Sequence, residues 1–166
     1  MSLVNILSSY QIDSMSVTRR KNIRLKKEIY SNQNQIFNIT ICTKDRQPIF
    51  HQKLHAKTII ETFQTKAFHR NARLYAYCLM PDHLHFLVSP KESDLIDFIR
   101  RWKSYTANLL NKSDFKGPCW QRSFYDHALR KDEEIRNTAE YIVHNPVRKQ
   151  IVQRWRDYPY SWHKWV

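Results

Sequence analysis

Gly117 is the only glycine in a chain of 166 residues. A P-loop and a dinucleotide-binding turn each need several glycines, because the backbone must approach phosphate closely. Both are excluded, together with collagen and glycine-rich linker arrays. The framework is read from hydrophobic periodicity instead. In Ile36–Thr43, residues Phe37, Ile39 and Ile41 alternate onto one face, which predicts a strand that Lys44-Asp45-Arg46-Gln47-Pro48 breaks. Residues 53–68 predict a helix with Ile59, Ile60 and Phe63 on one stripe. Residues 73–79 and His83–Val88 predict two further strands, joined by a turn at Met80-Pro81-Asp82 and closed by Ser89-Pro90. Ser93-Asp94 opens a helix with Leu95, Ile99, Trp102 and Leu109 on its apolar side. Arg100, Arg101, Lys103 and Lys112 lie on its other side. Residues 111–118 read as loop and 119–129 as a fourth strand. Lys131-Asp132-Glu133-Glu134 brings acids into the first turn of a last helix, where the dipole favours them. There Ile135, Ala139 and Ile142 face inward and Pro146 closes the helix. The order β-α-β-β-α-β-α describes a single α+β domain, an antiparallel sheet with helices packed on it.

Hydrophobic residues make up 42% of the chain and aromatics 13%, enough for a core. The net charge is +13 and the pI about 9.8, the footprint of a protein that meets a polyanion. Cys42, Cys78 and Cys119 are odd in number and far apart, which suggests neither a disulfide framework nor a zinc finger and fits a reducing cytoplasm. No apolar run approaches the roughly 18 residues of a membrane span. The run Arg19-Arg20-Lys21-Asn22-Ile23-Arg24-Leu25-Lys26-Lys27 reads as an arm along a phosphate backbone or as a solvated helix face. The tail is basic and aromatic, with Arg154, Trp155, Tyr158, Tyr160, Trp162 and Trp165.

Three constellations carry chemistry. His83-Leu84-His85 on a strand projects both imidazoles to one side, where they can share a divalent metal, grip a phosphate, or stand as unrelated surface histidines. In Glu140-Tyr141-Ile142-Val143-His144-Asn145-Pro146, residues Tyr141 and Asn145 share a helix face. Tyr141 is then either an amphipathic boundary residue or a nucleophile beside an amide able to ligate a metal. In Trp120-Gln121-Arg122-Ser123-Phe124-Tyr125-Asp126-His127-Ala128-Leu129-Arg130, aromatics interleave with arginines. That pattern suits stacking on unpaired bases, or a core strand with a polar outer face. Asp126-His127 would point to opposite sides of such a strand.

Taken together, these segments resemble the tyrosine transposases of the HUH single-strand endonuclease group, most closely the REP-associated ones. The matching runs are Tyr77–Val88 with its Met-Pro-Asp-His-Leu-His core, Trp120–Arg130, Tyr141–Arg148 and Tyr158–Trp162. A weaker match runs from Asn38 to Phe50. The resemblance implies a ferredoxin-like or RRM-like HUH endonuclease fold. It makes His83, His85 and Asn145 ligands of Mg²⁺ or Mn²⁺, and Tyr141 the nucleophile that leaves a 5′-phosphotyrosine link and a free 3′-OH. Cleavage and joining then use no ATP. The implied partner is single-stranded or hairpin DNA, with no membrane, and the implied state is a monomer or homodimer. Candidate DNA contacts are Arg19, Arg20, Lys21, Arg24, Arg100, Arg101, Arg122, His127, Arg130 and Arg148.

The domain is expected over 31–166, behind a basic extension at 1–30. One departure concerns the Asn-Pro-Val-Arg exit, where relatives often carry a glycine and this chain has Lys149-Gln150. A catalytically silent hairpin or single-strand binding protein would have nearly the same sequence. A histidine-dependent phosphodiesterase would need a further His-x-Thr/Ser, which is missing, and position 87 is Leu87. A basic structural protein would leave the paired histidines and Tyr141/Asn145 as accident.

Overall fold

The structure, a computed structural model, describes residues 25, 27–130 and 132–165. In chain order these form α1 (Lys27–Tyr30), β1 (Ile36–Cys42), α2 (Lys53–Phe63), α3 (Lys66–Asn71), β2 (Ala72–Met80) and β3 (His83–Pro90). Then follow α4 (Leu95–Lys112), β4 (Tyr125–Leu129), α5 (Asp132–Val143), α6 (Asn145–Arg148) and β5 (Ser161–His163). The strands make one sheet in the order β4-β1-β3-β2-β5, and every neighbouring pair is antiparallel. The first four strands have the β-α-β-β-α-β ferredoxin-like arrangement.

Alternation sorts the sheet into two faces. Phe37, Ile39 and Ile41 oppose Val88, Phe86 and Leu84, and all six are fully buried under α2, α3 and α4. Phe63 of α2 is the centre of this layer, with its ring against Phe68, Tyr77, Phe86 and Trp102. Each such buried side chain contributes about 1.5–3 kcal/mol. The two buried indoles keep their polar ends satisfied, Trp102 Nε1–H donating to Thr62 Oγ1 and Trp120 Nε1–H to Thr106 Oγ1. The opposite face carries Thr40, His83, His85, Leu87, Ala76 and Cys78. There α5 packs through Ile135, Ala139 and Ile142, with Tyr158 beside them.

Several expected boundaries move. The helix expected over 53–68 breaks at Gln64-Thr65, because Thr65 Oγ1 accepts from Phe68 N–H and caps a new helix, α3. Near the end of α4 the buried leucine is Leu110 rather than Leu109. β3 runs on through Ser89-Pro90, where Pro90 still pairs with Ala72. The strand expected over 119–129 is only Tyr125–Leu129, with Trp120 as an isolated bridge to Thr43. The aromatic tail supplies a fifth strand: Leu79 N–H donates to Tyr160 O, Tyr158 Oη–H donates to Leu79 O, and Ser161–His163 pairs with β2. The expected extension at 1–30 lies mostly outside the described residues.

Pro146 does not end the helical path. α5 stops at Val143, and Pro146 stands in the first turn of α6, where its missing N–H costs nothing. α6 then ends on Gln150 in the left-handed region, φ 56°. Gln150 N–H donates to Val147 O and Ile151 N–H to Pro146 O, the paired bonds of a Schellman exit. This is the stretch where the sequence lacks the expected glycine. A side chain there costs about 1–2 kcal/mol, partly offset by glycine's greater freedom when unfolded. Gln150→Gly should therefore raise Tm by about 2–4 °C in a thermal melt; a lower Tm would contradict this account of the exit.

Candidate functional site

The site is built around the turn Pro81-Asp82 between β2 and β3. The chain leaving β1 straps over it: Thr43 N–H and Oγ1–H both donate to Asp82 O at 2.9 Å, and Phe50 N–H donates to Pro81 O at 3.0 Å. Within this strap Asp45 and Arg46 both take left-handed backbone, φ 53° and 57°. Such strain costs about 1 kcal/mol or more per residue. It aims Arg46 at the turn, so that Arg46 Nη1 donates to Asp82 Oδ2 at 3.1 Å.

His83 and His85 leave β3 on the face that carries α5, as their spacing predicts. Their Nε2 atoms stand 3.1 Å apart, with the rings at 89°. Each ring is held from behind through Nδ1. His83 Nδ1 is 2.5 Å from Asp82 Oδ1, and His85 Nδ1 is 2.8 Å from Thr40 Oγ1. A carboxylate only accepts, so His83 Nδ1–H donates to Asp82, and the two Nε2 atoms share a hydrogen bond with each other. The Thr40 hydroxyl can accept from His85 Nδ1–H, which leaves the His85 Nε2 lone pair as the acceptor of that bond.

Electrostatics keep His85 neutral. Burial works against ionisation of Asp82, but its bonds and charge contacts with His83 and Arg46 outweigh this and hold the carboxyl at about 2. Burial, then the charges of His83, Arg148 and Arg46, push His85 down to about 3 against the pull of Asp82. Cys78 stands opposite His85 in the β2–β3 ladder. Burial pushes its thiol up to about 12 against the charge of Arg148, so no thiolate faces the pair.

A divalent ion fits this donor set. Adjacent ligands of a six-coordinate Mg²⁺-sized ion stand about 3 Å apart, close to the spacing of the two Nε2 atoms. Neutral imidazole with oxygen donors suits a hard or borderline ion better than a soft one. Among the described residues no group of three His, Cys, Asp or Glu is placed to hold a metal ion. The oxygen expected as a third ligand is that of Asn145. Its Nδ2 donates to Ile142 O at 2.9 Å, and its Oδ1 accepts from Arg148 Nη2 at 2.9 Å with one lone pair left.

Tyr141 lies on α5 beside the buried Ile142 and is 59% exposed. The Arg148 guanidinium lies 3.6 Å over its ring. α6, which carries Arg148, packs on β2, the strand whose Cys78 lies opposite His85, so it sits on the sheet that bears the histidine pair.

The other expected DNA contacts scatter. His127 is on the histidine face, opposite Asn38, with Nε2 3.5 Å from Glu134 Oε1. Arg122 and Arg130 are exposed on either side of β4 in the chain. Arg100 and Arg101 belong to α4, behind the sheet, and both pair with Asp97 at 2.5 Å. Arg19, Arg20, Lys21 and Arg24 lie outside the described residues. Trp120 is 8% exposed and belongs to the core, so it offers no stacking face; Tyr125 is 43% exposed. Asp126 and His127 turn to opposite sides as expected, Asp126 Oδ2 accepting from Tyr30 Oη–H. The sequence reading missed Thr40, Arg46 and Asp82 as site residues. Asp82 is signalled by its place before His83; the other two need the strand register and the left-handed strap.

The state of His85 has a consequence for acid stability. An unfolded histidine titrates near pH 6.5, and folded His85 near 3. Between these values the unfolded chain binds more protons, so stability falls as pH drops through this window and is unaffected by this group above it. In EDTA, the urea midpoint should fall between about pH 6.5 and 4 more steeply for wild type than for His85→Gln. Parallel curves would show that His85 is not held neutral.

A profile of the IS200-like transposase family matches residues 31–145. A REP-associated tyrosine transposase of Escherichia coli strain K12 is 30% identical over 92 residues, covering 55% of this chain and 54% of the relative. A Haemophilus influenzae protein provisionally given the same name is 34% identical over 98 residues, covering 52% and 56%. The chain spans about half the length of the curated relatives it matches. The solved structure of a REP-associated tyrosine transposase bound to a REP hairpin has the same fold, with a TM-score of 0.65 over 86% of this chain and 82% of that one, at 22% identity. The profile match spans β1 to α5, takes in His83, His85 and Tyr141 and ends on Asn145: the chain belongs to the IS200-like transposase family.

Proposed function

We propose that this chain nicks and rejoins single-stranded DNA at hairpins, with Tyr141 as nucleophile and His83, His85 and Asn145 as holders of Mg²⁺ or Mn²⁺. One observation carries the reading. Two imidazoles bring their Nε2 atoms to 3.1 Å from each other on the sheet face that also bears an exposed tyrosine, whose ring lies under Arg148. The hairpin bound to the structural relative supports the choice of substrate.

When bound, the divalent ion supplies charge at the scissile phosphate and lowers the cost of a phenolate. Tyr141 Oη attacks phosphorus, the bond to the 3′ oxygen breaks, and the phenolic proton ends on the departing 3′-OH. The 5′ phosphate stays on Tyr141. Attack by a 3′-OH on that link restores a phosphodiester and the phenol, so joining needs no ATP. Arg148 holds the Tyr141 ring by cation–π stacking and favours negative charge on it. Arg122, His127 and Arg130 on and beside β4, and Arg19, Arg20, Lys21 and Arg24 before the domain, are the proposed phosphate contacts, with Arg100 and Arg101 serving strands that pass behind the sheet.

End-labelled hairpin DNA with Mn²⁺ should yield an SDS-resistant protein–DNA adduct. The adduct should be lost with EDTA, with Tyr141→Phe and with His85→Ala. An adduct that persists in Tyr141→Phe would refute the assignment of the nucleophile. Tight binding without any adduct across a panel of hairpins would make the chain a silent binding protein. Asp82→Ala frees the His83 ring, so Mn²⁺ affinity measured by calorimetry should weaken about 10- to 100-fold. Adduct formation should then recover at high Mn²⁺; unchanged affinity would leave Asp82 without a positioning role.

A further inference from the structure

Tyr141, Asn145 and Arg148 stand at i, i+4 and i+7 of one helical path, so their side chains share a face. The path is continuous across the junction of α5 and α6. There His144 N–H donates to Glu140 O at 3.2 Å and Arg148 N–H to His144 O at 3.0 Å. Just beyond Arg148 the chain turns away through the left-handed Gln150. Arg148 therefore sits in the last turn of the path, and its side chain lies back along the face.

Two groups receive its guanidinium. Nη2 donates to Asn145 Oδ1 at 2.9 Å, and Cζ lies 3.6 Å from the centre of the Tyr141 ring. Among the described residues no carboxylate pairs with Arg148. The Asn145 amide is fixed in its orientation, because Nδ2 donates to Ile142 O at 2.9 Å. Turning the amide over would set Oδ1 against that carbonyl, acceptor against acceptor. The oxygen that Arg148 holds is thus the same one expected to face a divalent ion.

An ion and a guanidinium do not share one amide oxygen. With a small divalent ion about 2.1 Å from the oxygen and an N–H donor about 2.9 Å from it, the two positive groups stand about 4 Å apart. At that separation their repulsion exceeds what one hydrogen bond returns. We propose that Arg148 is an ion-gated phosphate ligand. It holds Asn145 Oδ1 until a divalent ion takes that oxygen, and its released donors then bind the phosphate that Tyr141 attacks. This rests on the proposed function. The hand-over needs only a small movement, since a guanidinium carries five N–H donors in a rigid fork. The stack already sets that fork beside the Tyr141 ring, whose hydroxyl the phosphate must approach. The order of events follows from the geometry: the ion is seated first, and the phosphate then gains a second positive partner.

Calorimetry with Mn²⁺ alone reads the gate. Arg148→Met keeps the length of the side chain and removes its donors, and should bind Mn²⁺ about tenfold more tightly than wild type. In an Asn145→Ala background the same change should alter the affinity less than about twofold. Equal gains in both backgrounds would show a general charge effect and overturn the inference, as would no gain in wild type. Binding of a hairpin with single-stranded extensions, measured on Tyr141→Phe protein, reads the hand-over. Adding Arg148→Met should weaken that binding about tenfold in Mg²⁺ and less than about twofold in EDTA. An equal loss in Mg²⁺ and EDTA, or no loss in Mg²⁺, would overturn the hand-over and leave the proposed function standing. Failure of Mn²⁺ to bind the folded wild type, or Mn²⁺ binding untouched by His83→Ala and His85→Ala, would overturn both.

Discussion

The antiparallel register of β1 against β3 is the constraint on which the candidate site depends. Phe37, Ile39 and Ile41 meet Val88, Phe86 and Leu84 in a layer with no exposure at all. A slip of one residue would drive His83 and His85 into that layer and turn Leu84 out to the α5 side. The cost of burying two imidazoles without partners among aromatic rings is what holds the register. Once it is set, Thr40 lies opposite His85, Cys42 lies opposite His83, and the strap after β1 comes down on the turn at Asp82. The core layer thus pays for the precision of the polar one.

The site is also a local exception to the charge of the chain. The protein carries a net charge of +13, yet the strongest held groups beside the pair are one carboxylate and one neutral imidazole. Arg46 and Arg148 approach from different elements and keep a third positive charge off His85. The two guanidiniums differ in their attachments. Arg46 is tied to Asp82, whereas Arg148 lies on the Tyr141 ring and on Asn145. One therefore steadies the ligand side and the other the nucleophile side of the same chemistry.

Much of this was legible in the residues. Alternation in 36–43 and 83–88 was enough to predict that both histidines share a face, and the helical spacing of Ile135, Ala139 and Ile142 left Tyr141 outside the core. The segments that misled are those whose structure is decided by distant partners. Trp120 reads equally as a base-stacking aromatic or a core residue until Thr106 and the α4 layer take it into the core. The tail reads as a basic aromatic stretch until Tyr158 and Tyr160 bond to Leu79 and draw Ser161–His163 onto the edge of β2.

Periodicity and residue chemistry by themselves determined the α+β layering, the paired histidines and the isolated tyrosine, because each rests on contacts between residues a few positions apart. Only the tertiary structure decided that Thr40, Arg46 and Asp82 stand behind the histidines, that Arg148 lies over Tyr141 and binds Asn145, and that Tyr75 meets Trp165. Those relations depend on strand register, left-handed backbone and a bulge, and none of these has a local signature that a single sequence reveals.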